Sequence, residues 1–204
     1  MSIIFIRHGE TPLNAARTLQ PADTPLSTTG LAQAQSVAAR LAVLGIARIV
    51  SSDLPRALQT TQAIAAATGA AIETTPLLQE RNFGDLRGRR YDELGFDPLA
   101  MDAAPPGGES VQAFRARVAL AFAHVLHLRA GLPGPLAVVT HGLVIRTIIE
   151  HHLALAPGQA VPAQVRNTSL TIVALEPPHG AELIDCAKHL EASFRHDEHS
   201  LSGG

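Results

Sequence analysis

Ile3-Ile4-Phe5-Ile6-Arg7-His8-Gly9-Glu10-Thr11 is the stretch that decides the reading of this chain. Four apolar residues, three of them β-branched, predict a buried strand, and the run stops abruptly at a cation and an imidazole. In open α/β sheets the carboxyl ends of strands are where ligand sites form. Gly9 allows a tight turn and a close backbone approach to a ligand. Arg7 presents a planar fork of donors suited to phosphate oxygens. His8 can act as a nucleophile without a metal.

Outward from this strand, strand-like and helix-like segments alternate, which predicts a mostly parallel sheet covered by helices on both faces. Ser27-Thr28-Thr29 offers caps for a helix to about Leu44, with Gly45 as its stop. Arg48–Ser51 reads as a second strand. Ser52 or Asp53 then caps a helix with Pro55 in its first turn and Gly69 at its end. Ile72–Thr74 is a short third strand. Residues 77–108 break into Gly, Pro and charged residues, an excursion over the sheet edge. Glu109 and Ser110 open a long helix to about Ala130, with Val111, Phe114, Val118, Ala121, Val125 and Leu128 as its apolar stripe. Leu136–Thr140 is a strand that runs directly into His141-Gly142 and a helix to about Leu153. Thr168–Leu175 and Glu182–Cys186 read as final strands, the last an edge.

Composition sets the outer bounds. At 204 residues the chain suits one domain, taken here as residues 1–193, with a polar flexible tail at 194–204. A net charge of −2 gives no general attraction to nucleic acid or to an anionic membrane. With no leader and no long apolar run, a soluble cytoplasmic protein is expected. Fifteen arginines stand against the single Lys188, a skew that genome composition can also produce. Cys186 is a lone thiol, expected to be buried and structural. His189, His196 and His199 are read as lying in a flexible tail without carboxylate partners at ligand spacing, so no metal and no cofactor is expected. His124, His127, His151, His152 and His179 read as ordinary polar residues. Oligomeric state stays open, a homodimer included.

Three strand-to-helix junctions share one character: Arg7-His8, then Ser51-Ser52 with Arg56, then His141-Gly142. A parallel sheet lines such junctions along one edge, so these residues converge although far apart in sequence. Helix N-termini add unpaired amides and a positive dipole end. Two arginines and two histidines in one cleft favour a phosphoryl group over a carboxylate or carbonyl.

Arg7-His8-Gly9-Glu10-Thr11 with Asn14, Ser51-Ser52-Asp53-Leu54-Pro55-Arg56-Ala57-Leu58-Gln59-Thr60, and Thr140-His141-Gly142 resemble the histidine phosphatase superfamily (phosphoglycerate mutase-like), branch 1. Residues 78–88 look like that family's acid-bearing loop. The resemblance implies a three-layer α/β/α sandwich with His8 as the phosphorylated nucleophile. It implies that Arg7, Arg56 and His141 form the phosphate pocket, that Asn14 and Gln20 contact the substrate, and that Glu80 is the proton donor. Gly142 and Leu143 are expected to bind substrate as well, and the rim facing the leaving group is expected from the loop 77–108 and from 143–146. Departures stand beside it: Leu86-Arg87-Gly88 where many phosphatases have Trp-Glu-Gly, Gln20-Pro21 where Gln-Gly is common, and Gly142 where another branch carries its acid. The resulting reading is a metal-independent phosphomonoesterase acting through phosphohistidine on a small phosphorylated metabolite. The rival is a phosphoglycerate mutase. Against it, residues 101–110 contain no basic residue, Leu143 replaces the mutase asparagine, and Tyr91 aligns with a mutase lysine. Arg87, Arg89 and Arg90 serve equally as substitute cations or as a solvated patch. A non-catalytic binder of phosphorylated ligands is a third reading.

Overall fold

The computed structural model describes residues 2–190; the expected tail at 194–204, with His196 and His199, lies outside the described residues. The chain is a three-layer α/β/α sandwich. Six strands, β1 (Ser2–Arg7), β2 (Arg48–Ser51), β3 (Ile72–Thr74), β4 (Leu136–Thr140), β5 (Leu170–Ala174) and β6 (Ala181–Cys186), form one sheet in the order β3-β2-β4-β1-β5-β6. The first four in that order run parallel; at one side β5 pairs antiparallel with β1 and β6 antiparallel with β5.

Alternation along β1 explains the layers. Side chains of successive strand residues point to opposite faces. Ile3 and Phe5 join Phe114, Val118, Val125, Ile145 and Ile148 of helices α4 (Val111–Ala130) and α5 (Gly142–His152). Ile4 and Ile6 join Val37, Leu41, Ala57 and Ile64 of α2 (Thr28–Leu41) and α3 (Pro55–Thr68) on the other face. A continuous apolar run was therefore required for a strand buried on both sides. Of the predicted α4 stripe, Val111 and Leu128 are only partly buried, and Phe122 and Arg129, outside that stripe, are buried.

Several boundaries move for identifiable reasons. A short helix, α1 (Pro12–Ala15), follows the first strand; Thr11 and Asn14 form its reciprocal cap, a pairing not read from the sequence. Helix α3 is not capped by Ser52 or Asp53. Its cap position is Leu54, because the Ser52 hydroxyl turns to His141 and Asp53 accepts from Gln79 Nε2 at 2.7 Å. Strand β5 starts only at Leu170, since Thr168 adopts a left-handed φ of 53° and donates its N–H to Arg7 O. His189 does not belong to a tail: it is half-buried and accepts from Arg40 Nη1 at 3.1 Å. Burial, then Arg40 and Arg166, pushes its pKa down to about 4.

The excursion is held across the loop after α1. Leu19 N donates to Arg89 O, Gly88 N to Leu19 O, and Tyr91 N to Arg17 O. Only short 3-10 turns form in it, at Pro76–Leu78, Gly84–Leu86 and Tyr91–Glu93.

The turn after β1 crosses the start of α2 at backbone distance. A Cβ on Gly30 would lie 2.0 Å from Glu10 O, and one on Gly9 2.5 Å from Gly30 O. Ser27 N and Ser27 Oγ both donate to Glu10, at its carbonyl and its carboxylate, so the turn is clamped there. Gly30→Ala is therefore expected to lower unfolding stability by about 3 kcal/mol, read by urea denaturation. A loss under about 0.5 kcal/mol, the range of ordinary surface substitutions, would show that the crossing relaxes freely.

Candidate active site

Parallel pairing places the three junctions side by side. Arg7 is in register with Thr140 and Ser51 with Val139; His8 N donates to Thr140 O at 3.0 Å and Ser52 N to Val139 O at 2.9 Å. Arg7 and His8 are both 0% exposed. Arg7 Nη1 donates to Val165 O at 2.6 Å, and Asn167 Nδ2 donates to His8 O at 2.8 Å, so β5 and the loop before it brace this corner.

His8 Nδ1 lies 2.7 Å from Gly9 O. A carbonyl only accepts, so Nδ1 carries the proton and Nε2 the lone pair. Nε2 has no hydrogen-bond partner among the described residues. Burial, then Arg56 and Arg7, holds the His8 pKa well below the usual 6.5, which keeps the ring neutral. The His141 ring stands 5.1 Å away, centroid to centroid, nearly edge-on. Burial, then Arg56, His8 and Arg7, depresses its pKa as well. His141 Nε2 is 2.9 Å from Ser52 Oγ. When Ser52 donates there, the proton sits on His141 Nδ1, which has no partner among the described residues and is left as a donor.

Arg56, in the first turn of α3, is buried and reaches back to Pro21 O and Ala22 O with Nη1. Burial lowers its pKa to about 10, with Glu80 opposing and Arg87 and Arg7 adding to the effect. Asn14 accepts from Thr11 N through Oδ1, and Gln20 accepts from Thr11 Oγ1 through Oε1. That leaves Asn14 Nδ2 and Gln20 Nε2, like Arg56 Nε, as buried donors without partners among the described residues. Each such donor costs about 1–3 kcal/mol unless something accepts from it. An anion with several oxygens is the kind of ligand that supplies acceptors to such donors.

Glu80, from the excursion, is 5% exposed. Arg81 N donates to its Oε1 at 3.0 Å and Leu143 N to its Oε2 at 3.1 Å. Burial raises its pKa from the usual 4.5 to about 7, against the pull of those two amides, Arg56 and Arg7. Both protonation states are thus within reach near neutrality. Leu143 contributes its backbone N–H here, and Gly142 contributes the first residue of α5.

The arginines of the excursion part company. Arg87 is half-buried and close enough to Arg56 to lower its pKa, whereas Arg90 pairs with Asp92 at 2.8 Å and Arg89 is exposed. Nothing in the residue pattern hinted at Ser52 against His141, Asn167 against His8, or Thr60 Oγ1 accepting from Gly9 N at 3.0 Å. Only pairing between distant segments creates those contacts. No group of three or more His, Cys, Asp or Glu side chains among the described residues is placed to hold a metal ion. No helix among them is long and apolar enough to cross a membrane.

A parallel α/β sheet whose switch-point edge gathers two neutral imidazoles, two buried guanidiniums and a protonatable carboxyl defines a class of phosphate-handling α/β proteins. The model of the histidine phosphatase superfamily (branch 1) matches residues 3–183, and the chain belongs to that family. Relatives named "Probable phosphoglycerate mutase GpmB" share 35% identity over 84% of this chain and 83% of their own length in Enterobacter sp. (strain 638). In Yersinia pestis (strain Pestoides F) the figures are 36%, 85% and 84%. Among solved structures, Bacillus stearothermophilus YhfR superposes with a TM-score of 0.79 at 26% identity, over 93% of this chain and 99% of its own. The mycobacterial glucosyl-3-phosphoglycerate phosphatase in complex with VO3 does so at 0.73 and 27%, over 85% and 90%.

Proposed function

We propose that the protein is a phosphomonoesterase of a small phosphorylated metabolite, working through a phosphohistidine on His8 within one domain whose excursion, residues 77–108, roofs the site. The observation that carries this reading is a neutral imidazole whose Nε2 has no partner among the described residues, accompanied by buried donors on Asn14, Gln20 and Arg56 that likewise find no acceptor there. In the first step His8 Nε2 forms a bond to phosphorus as the ester P–O bond breaks in line. Glu80 gives its proton to the departing alkoxide. Arg7, Arg56, the His141 Nδ1–H and the amides of Asn14 and Gln20 stabilise the charge on the three equatorial oxygens. In the second step the Glu80 carboxylate takes a proton from water, whose oxygen bonds to phosphorus as the P–N bond breaks. Inorganic phosphate leaves, and Glu80 is protonated again. The fixed guanidiniums supply the positive charge, so no metal enters the scheme.

Mutase activity is the second reading, favoured by the names of the GpmB relatives and by Arg87 beside Arg56. It would need a second anion site, yet residues 101–110 carry no cation and Arg90 is already paired. Two assays separate the readings. With p-nitrophenyl phosphate, phosphate release unaffected by a chelator is expected. With 3-phosphoglycerate and a trace of 2,3-bisphosphoglycerate, isomerisation without phosphate release would replace the phosphatase by the mutase. Phosphate binding with neither activity would leave a non-catalytic binder.

A further inference from the structure

Tyr91 has a hydroxyl that is buried and without a hydrogen-bond partner among the described residues. Its backbone is fixed: Tyr91 N donates to Arg17 O, and the neighbouring Gly88 and Arg89 exchange hydrogen bonds with Leu19. The phenol lies close enough to Glu80 and Arg7 for both charges to act on it, but beyond hydrogen-bonding distance of either. Beside it opens a cavity of about 360 Å³ walled by Tyr91, Arg17, Phe96, Asp97, Pro98 and Leu99. Its surface is mixed aromatic and polar. Asp92, also on the wall, is neutralised by Arg90 at 2.8 Å, and the remaining wall charges, Arg17 and Asp97, are of opposite sign, so the cavity carries no excess cation for a carboxylate.

We propose that Tyr91 is a leaving-group contact: its hydroxyl donates to an oxygen next to the ester carbon of the departing alcohol, and the adjoining cavity takes an uncharged polyol or sugar. This rests on the phosphatase reading and narrows its substrate class. A dry hydroxyl without an acceptor is unfavourable in the free protein and is satisfied when such an oxygen arrives. A site built around that bond discriminates against esters that lack the oxygen.

The test compares wild type with Tyr91→Phe on three esters: glucose 6-phosphate, glycerol 2-phosphate and p-nitrophenyl phosphate. The first two carry an oxygen on the carbon beside the ester carbon; the third does not. Tyr91→Phe is expected to lower kcat/KM about five- to tenfold on the first two and less than about twofold on the third, as loss of one neutral hydrogen bond predicts. Equal losses on all three, or no loss on any, would overturn the role of Tyr91 and leave the phosphatase reading intact. Faster wild-type hydrolysis of 3-phosphoglycerate than of both polyol esters would overturn the uncharged class. A wild type inert towards every ester would strike the phosphatase reading itself.

Discussion

His8→Ala is expected to abolish phosphate release, with a fall on the order of 10⁴–10⁶-fold, the scale seen when a hydrolase loses its covalent nucleophile. The reasoning is geometric. Gly9 O accepts a hydrogen bond from Nδ1–H, so the ring's lone pair is on Nε2, and no described residue uses it. Burial and two guanidiniums keep the ring unprotonated, so the nucleophile is available well below neutral pH. Wild type quenched during turnover should carry an acid-labile, base-stable phosphoryl group that His8→Ala lacks. A variant that still releases phosphate at more than about a hundredth of the wild-type rate would mean direct attack by water, with His8 only a binding group.

Glu80→Gln is the second large effect: a loss of about 10²–10⁴-fold in kcat for alkyl esters, the usual contribution of a positioned proton donor. Esters with a good leaving group, such as p-nitrophenyl phosphate, need no proton in the first step and should lose less of their rate of enzyme phosphorylation. The sign of the pH dependence follows from the raised pKa of about 7. Below it Glu80 is protonated and can act as the acid, so kcat/KM for an alkyl ester should fall as pH rises through 7. Glu80→Gln should lack that limb. A limb that persists in the variant would assign the proton to another group.

The same shift bears on stability. The folded-state pKa lies above the ordinary 4.5, so folding favours the neutral carboxyl. Its contribution is full below pH 4.5 and is lost as pH rises to about 7, a difference of roughly 3 kcal/mol. Wild-type Tm should therefore drop relative to Glu80→Gln between pH 4.5 and 8. His8 and His141 act oppositely, since their depressed pKa values withdraw stability as pH falls below 6.5. Both proteins share that effect, and it cancels in the comparison.

The sandwich itself was legible because its cause is local. Ile3–Ile6 and Leu136–Val139 are apolar throughout, and a strand reads that way only when both of its faces are covered. Strand ends announced Arg7, His8 and His141, and parallel pairing then brought them within one hydrogen bond of a common edge. What the letters leave undetermined is anything set by contact between segments without periodicity. The boundary of α3 moved because Ser52 found His141, 89 residues away, and His189 left the supposed tail because Arg40 holds it. The equal choice between bound cations and a solvated patch for Arg87, Arg89 and Arg90 divided only when the excursion was laid over the loop at Arg17–Leu19, burying one side of it. Burial likewise dried the Tyr91 hydroxyl and lifted the Glu80 pKa. Residue type and spacing decide which groups stand at the end of a strand. The charge and proton each group holds depend on how much water the rest of the chain removes, and only the tertiary structure decides that.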